Sequence, residues 1–353
     1  MADIAKTMGS FFYRARLKPE NTGRTGHTSG PSETGAARLS GISTYRLNTA
    51  IWGFARALLL VGLAYVILFP LLKMLVDSFN TYGPDDRMTM YIPREVGLFN
   101  YVLASRMLRY ATALVNSVTL SSVSALLQCL SSALAGYGLA RYKLRFKGLF
   151  LALLVLTIIV PANTIMIPLY MNYRFFTFSG ALTLLSGFTG LPSDINLLNT
   201  QWTFWIPSAF GVGLRGGLFI LIFMQFFKTL PKDLENAAKV DGSGHLRTFF
   251  YVMAPNVRPG FITVFLFSLV WHWNDYNFSS MFFTLDSART LSMSLMTSRY
   301  AHIMFNLAGE SVQYDFGKII SAACVMTMAP VLLVFIVAQR YFVESIDGSI
   351  LKG

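Results

Sequence analysis

The chain has 353 residues, of which 54% are hydrophobic, 14% aromatic and 13% charged, and its mean hydropathy is +0.51. Charge this sparse cannot cover the surface of a water-soluble domain of that size, so the composition excludes one and defines a polytopic membrane protein. The formal net charge of +12 does not imply nucleic-acid binding, because the basic residues gather at the ends of apolar runs, where membrane orientation needs them.

Residues 1–50 are rich in Gly, Ser, Thr, Arg and Lys with little apolar periodicity and read as a mobile basic tail, leaving 51–353 as the membrane domain. The first apolar run, about residues 57–76, is long enough at about 1.5 Å per residue to cross a hydrocarbon core. Lys73 can snorkel at its far end. Residues 77–110 then form a polar outer segment with a turn-rich start, TYGPDDR, and a second interfacial stretch. The second span, 111–140, ends in LAGYGLARYKLRFKG, where Arg141, Lys143, Arg145 and Lys147 mark a cytoplasmic turn. The third, 149–170, contains Pro161 and Pro168 and should be bent.

Residues 171–201 make an outer connection, and the fourth span follows over 202–227 with Gly211, Gly213, Arg215, Gly216 and Gly217 inside it. Gly213 and Gly217 would let another helix come close. Arg215 at membrane depth needs a partner, a wet cavity or the interface. A polar segment comes next, residues 230–260. Thr229 can cap a helix whose first turns hold Pro231, Asp233 and Glu235, and Gly242 stands where a left-handed terminator belongs. Leu234, Ala237, Ala238 and Asp241 then share one narrow face, and Glu235 is within reach of Lys239. Ser243 can cap a second helix carrying Leu246, Phe249, Phe250, Val252 and Met253, which stops near Pro255.

The fifth span, 261–283, contains WHWNDYN at 271–277, too polar to face lipid throughout and therefore turned to an aqueous path or bent near the outer surface. An outer loop over 285–315 leads to the sixth span, 316–337, and a short tail. Six spans put both ends on one side, and Arg14, Arg16, Lys18, Arg38, Arg46 and Arg56 place that side in the cytoplasm. The expected fold is all-α: a polytopic membrane protein with six transmembrane helices and a helical cytoplasmic segment between the fourth and fifth.

Motifs of chemistry are absent. No G-x-x-x-x-G-K-[ST] loop occurs, so the chain has no nucleotide site of that type, and His27, His245, His272 and His302 lie without metal spacing or a nucleophile beside them. Neither a catalytic residue nor a metal site is expected. Cys129 and Cys324, inside apolar runs, read as small buried hydrophobes. The alternative of an intramembrane enzyme would centre on His272 and Asp275.

Three stretches carry a family resemblance. Segment 230–260 is similar to the EAA loop of the transmembrane subunits of ABC-type importers, E-A-A, three residues, G, nine residues, then I-x-L-P. Ala237, Ala238, Gly242 and Pro255 match it, Val252 stands for the Ile, Asn236 occupies the Glu position and Ala254 the Leu position. Glu235 and Asp241 supply the acids that the carbohydrate-importer version carries beside the motif. LAGYGLAR and the C-terminal QRYFV with its final Lys-Gly also resemble that version, and the likeness extends over about residues 50–353.

The resemblance implies a permease subunit of an ATP-driven importer in a bacterial or archaeal cytoplasmic membrane, translocating a sugar or oligosaccharide, with other solute classes as the alternative. It implies as partners a second permease, two ATP-binding subunits that carry the ATP and Mg, and an extracytoplasmic solute-binding protein; this chain would bind no cofactor itself. Glu235, Ala237, Ala238, Asp241 and Gly242 would form the ATPase-coupling surface. Trp273, Asn274 and Tyr276 are the expected lining of the substrate path, since aromatic faces stack on sugar C–H groups and amides bond sugar hydroxyls. Trp and Tyr can equally anchor a helix at the interface.

Overall fold

The computed structural model describes residues 34–80, 96–177, 194–298 and 316–350. The chain divides into two compact units at Ile67 and Leu68. A long helix, α1 (Thr34–Phe79), begins well inside the stretch read as a tail. In the first unit its residues from Ile51 onward are exposed and, Arg56 apart, apolar or small, among them Trp52, Phe54, Leu59 and Val66. A helix apolar on every side is suited to a hydrocarbon surrounding.

In the second unit the elements run α2 (Phe99–Leu108), α3 (Tyr110–Arg141), α4 (Lys147–Ile159), α5 (Ala162–Arg174), α6 (Trp202–Ala209), α7 (Gly216–Thr229), α8 (Asp233–Val240), α9 (His245–Thr248), α10 (Arg258–Asn274), α11 (Asn277–Phe282) and α12 (Phe316–Ile350). A π turn, Phe249–Met253, and a last helical turn, Ala254–Asn256, join α9 to α10. Residues 291–298 are also helical, within the expected outer loop. Among the described residues the only β pairing is two isolated bridges, Asn80 with Val96 and Phe176 with Ile195.

Among the described residues three helices are long and apolar enough to cross a membrane unbroken: Ile51–Phe79 within α1, α3, and Phe316–Gln339 within α12. The other expected spans are interrupted. The third breaks between α4 and α5, where Val160 before Pro161 takes an extended conformation, as a residue preceding proline prefers. The fourth, read as continuous over 202–227, is two helices. Gly211 and Arg215 lie in the left-handed region, at φ 75° and 59°, and the chain turns there instead of continuing the helix. The fifth stops at Asn274, because Asp275 is extended and its carboxylate accepts the Ser279 amide at 2.8 Å, starting α11 anew.

The second span, by contrast, matches its expected bounds to within a residue at each end, and α3 is the helix on which the unit is built. It packs against α6, α7 and α10. Gly136 admits the α7 backbone so closely that a Cβ there would lie 2.7 Å from Phe223 Cβ and 2.9 Å from the Met224 amide nitrogen. A buried stripe of small polar side chains, Ser117, Ser121, Ser124, Gln128 and Ser132, recurs every three to four residues along the same helix. Such residues let membrane helices approach and bond across the contact. Gly217 plays the expected role, meeting Thr157 and Leu154 of α4, whereas Gly213 sits in the α6–α7 bend against Gln128 and Ser208. The end of α1 is tied to α2 by Ser78 Oγ and Tyr101 Oη at 2.8 Å, and Lys73 pairs with Asp77 at 3.0 Å rather than snorkelling alone.

Candidate functional site

Segment 230–260 forms a compact helical body beside the ends of α3 and α7. Thr229 does not cap α8. It is the last residue of α7, its hydroxyl donates back to the Phe226 carbonyl at 2.8 Å, and Leu230, extended ahead of Pro231, ends the helix. The expected terminator is in place. Gly242 has φ 73°, its amide donates to the Lys239 carbonyl at 3.0 Å and the Ser243 amide to the Ala238 carbonyl at 2.9 Å, the paired bonds of a Schellman motif. After it, Gly244 rather than Ser243 precedes α9.

The body is anchored from inside. Phe249 and Met253 of the π turn are fully buried, and with Tyr137, Phe223, Phe227 and Val257 they form the core that joins the segment to the spans. The Tyr137 and Phe249 rings stand 5.3 Å apart, and Tyr137 and Phe227 likewise. Arg141, at the end of α3, completes the anchor. Its Nη2 donates to the Leu230 carbonyl at 2.6 Å and its Nε faces Glu235 Oε1 at 3.5 Å, with the side chains only 6% and 12% exposed. Tyr142 Oη meets His245 Nδ1 at 3.0 Å. Thus Glu235, expected to face a partner or Lys239, is turned into its own chain.

The small-residue face is split by this anchoring. Ala238 is buried against the chain itself, whereas Ala237, Asp241 and Gly242 are exposed. Three large apolar side chains of the same segment are exposed as well: Val240 (88% exposed), Leu246 (68%) and Tyr251 (78%). Sequence periodicity singled out Leu246 but not Val240 or Tyr251, which fall off the helical faces it traced.

The WHWNDYN cluster is also divided. Trp273 is buried, donates its indole N–H to the Thr327 carbonyl at 3.2 Å and packs with Ala113 and Leu291. That indole is committed within the chain, between α3 and α12. His272 is buried with Nδ1 2.8 Å from the Ser268 carbonyl, and Asp275 caps α11, so the two residues of the enzyme alternative serve separate structural partners. Asn274 is exposed and Tyr276 half-buried. Trp271, which sequence reasoning passed over, packs against Phe219, and the Arg215 guanidinium lies 5.5 Å from its ring centroid. Among the described residues no three His, Cys, Asp or Glu side chains converge on a metal-sized site.

The long apolar helices, joined to a capped helical body at 230–260 with exposed apolar side chains, are those of a membrane protein. Residues 132–348 match the binding-protein-dependent transport system inner membrane component family, and the chain belongs to it. It is therefore a multi-pass permease component of the cytoplasmic membrane. It is similar to the melibiose/raffinose/stachyose import permease MelC of Bacillus subtilis, 26% identical over 80% of this chain and 91% of that one. It is similar also to the sulfoquinovosyl glycerol transport system permease SmoH of Agrobacterium fabrum, 27% identical over 90% of this chain and 99% of that one. Among solved structures, a chain of a bacterial ABC transporter involved in the import of the acidic polysaccharide alginate superposes with a TM-score of 0.63 at 19% identity, covering 84% of this chain and 98% of that one.

Proposed function

We propose that this chain is half of the transmembrane pair of an ATP-driven importer for a sugar or oligosaccharide, with six spans and both termini in the cytoplasm. The relatives' saccharide substrates support the solute class. ATP and Mg belong to two separate ATPase subunits, and an extracytoplasmic binding protein delivers the solute. The observation that carries this reading is the segment 230–260: an exposed surface of Ala237, Val240, Asp241, Leu246 and Tyr251 on a body fastened by Arg141 to the end of a span. The uncovered apolar side chains suit docking to another protein, and Asp241 can accept hydrogen bonds at the rim. Closure of the ATPases would then move α3 and α10 as the body moves, opening and closing the path between the two permeases.

Asn274 and Tyr276, joined now by Trp271, are the side chains proposed to line that path. The test is uptake of labelled saccharides by the reconstituted complex, with ATP hydrolysis followed in parallel. Uptake that needs both ATP and the binding protein is the expected result; uptake that persists without the ATPase subunits would defeat the reading. For the topology, a cysteine at Arg145 should label only from the cytoplasm and one at Leu285 only from outside, and the reverse pattern would overturn it.

A further inference from the structure

Arg215 lies inside the expected fourth span, and the coupling scheme leaves it without a task. It precedes α7, whose 14 residues at about 1.5 Å each raise it about 21 Å above the end of that helix at Thr229. Trp271, counted from Arg258 at the start of α10, stands about 20 Å above its own helix start. Each residue thus stands about 20 Å along its helix from the end nearest segment 230–260, and the two side chains meet there. The guanidinium lies sideways over the indole, 5.5 Å from the ring centroid.

The surroundings do not neutralise it. Among the described residues Arg215 forms no ion pair, and Asp275, one turn beyond Trp271, has its carboxylate occupied by the amides of Phe278 and Ser279 and the Ser279 hydroxyl. Arg215 nevertheless remains exposed, in a left-handed backbone conformation at φ 59° that glycine would adopt without strain. An exposed guanidinium within a membrane span cannot face lipid tails, so the surface that bears it is turned to water or to protein. Phe267, Trp271 and Asn274 follow one another at i, i+4 and i+7 along the adjoining face of α10, all at least partly exposed.

We propose that Arg215 and Trp271 form an anion-reading element of the translocation path, so that the imported saccharide carries a carboxylate, sulfonate or comparable acid group. This rests on the saccharide reading given above and names the substrate class within it. The parts have distinct tasks. The indole edge and the Phe267 ring offer apolar faces to sugar C–H groups, the Asn274 amide bonds hydroxyls, and the guanidinium fork donates two parallel hydrogen bonds to the oxygens of an acid. A neutral sugar at the same place would leave the cation desolvated and unpaired, which discriminates against it.

The experiment compares uptake of digalacturonate and of the neutral galactose disaccharide of the same linkage by the reconstituted complex with its binding protein, for the wild-type chain, Arg215→Gln and Arg215→Lys. Wild type and variants share one binding protein, so its own selectivity cancels in the comparison. Arg215→Gln should lower the acidic-to-neutral uptake ratio about ten- to a hundredfold, the effect of losing hydrogen bonds to a charged group, and Arg215→Lys should recover part of it. A ratio unchanged in Arg215→Gln overturns the proposal and makes the arginine a structural or inter-subunit residue. Wild-type uptake confined to neutral saccharides also overturns it, without needing any variant to assemble. If saccharides of neither kind are taken up or stimulate ATP hydrolysis, the broader sugar-import reading falls, and this one with it.

Discussion

Replacing Arg141 with methionine keeps much of the side-chain length but removes the charge that holds segment 230–260 to α3. At 3.5 Å, and with an effective dielectric constant of about 20, the Arg141–Glu235 attraction is roughly 5 kcal/mol before desolvation. The net figure is smaller. Neither Nε nor Oε1 has a hydrogen-bond partner, so the pair is a loose one, and deleting one partner of a buried pair costs about 3–5 kcal/mol because the other charge is left uncompensated. The Leu230 carbonyl also loses its donor. We therefore expect the lower end, about 3 kcal/mol, spent on local opening of the segment because the contact is confined to its junction with α3. An opening equilibrium shifted by that amount speeds hydrogen exchange at the α8 amides by about a hundredfold. Exchange measured by mass spectrometry on the purified complex reads this directly. The charge-reversed pair Arg141→Glu with Glu235→Arg should restore part of the protection, while ATP hydrolysis in Arg141→Met loses its dependence on substrate. Unchanged exchange over 233–240 in Arg141→Met would refute the anchoring argument.

Ala237→Trp and Ala238→Trp should part company despite being neighbours. The first, on the exposed side, blocks ATPase docking and substrate-stimulated hydrolysis while leaving the permease itself folded; the second overpacks the interior by about 1–3 kcal/mol and loosens α8, seen as faster exchange before any ATPase is added. A Cβ at Gly242 would meet nothing within 4 Å, so substitution there is penalised by backbone conformation alone. Gly242→Asn should hold stimulated ATPase close to wild type and Gly242→Val should not, and equal loss in both would show a steric cause instead. Trp273→Ala should lower thermal stability by about 3–5 kcal/mol, whereas Asn274→Ala, on the exposed side, should change uptake with the melting temperature unmoved. The opposite assignment of effects would place the path on the other side of α10.

What could be read along the chain was whatever a few neighbouring residues settle among themselves. The bounds of α3 follow from a long run without charge closed by Arg141, and the end of α8 follows from Gly242 at the one position where φ must be positive. The family, too, is legible in that local signature, because the spacing of Ala237, Ala238, Gly242 and Pro255 lies within one helical body. The direction a polar side chain takes is a different matter. Glu235 could serve Lys239, a partner or its own spans with equal local sense, and only the packing of α8 against the end of α3 brings Arg141 to it. The choice between Trp271 and Trp273 likewise depends on α12, whose Thr327 carbonyl claims one indole while Arg215 comes to lie over the other. The break in the fourth span has both causes. Its glycines permit a turn, but the turn is realised because Gln128 of α3 donates to the Leu214 carbonyl at 3.1 Å and Ser131 to the Ser208 carbonyl at 2.7 Å, bonds that a straight helix would have kept for itself.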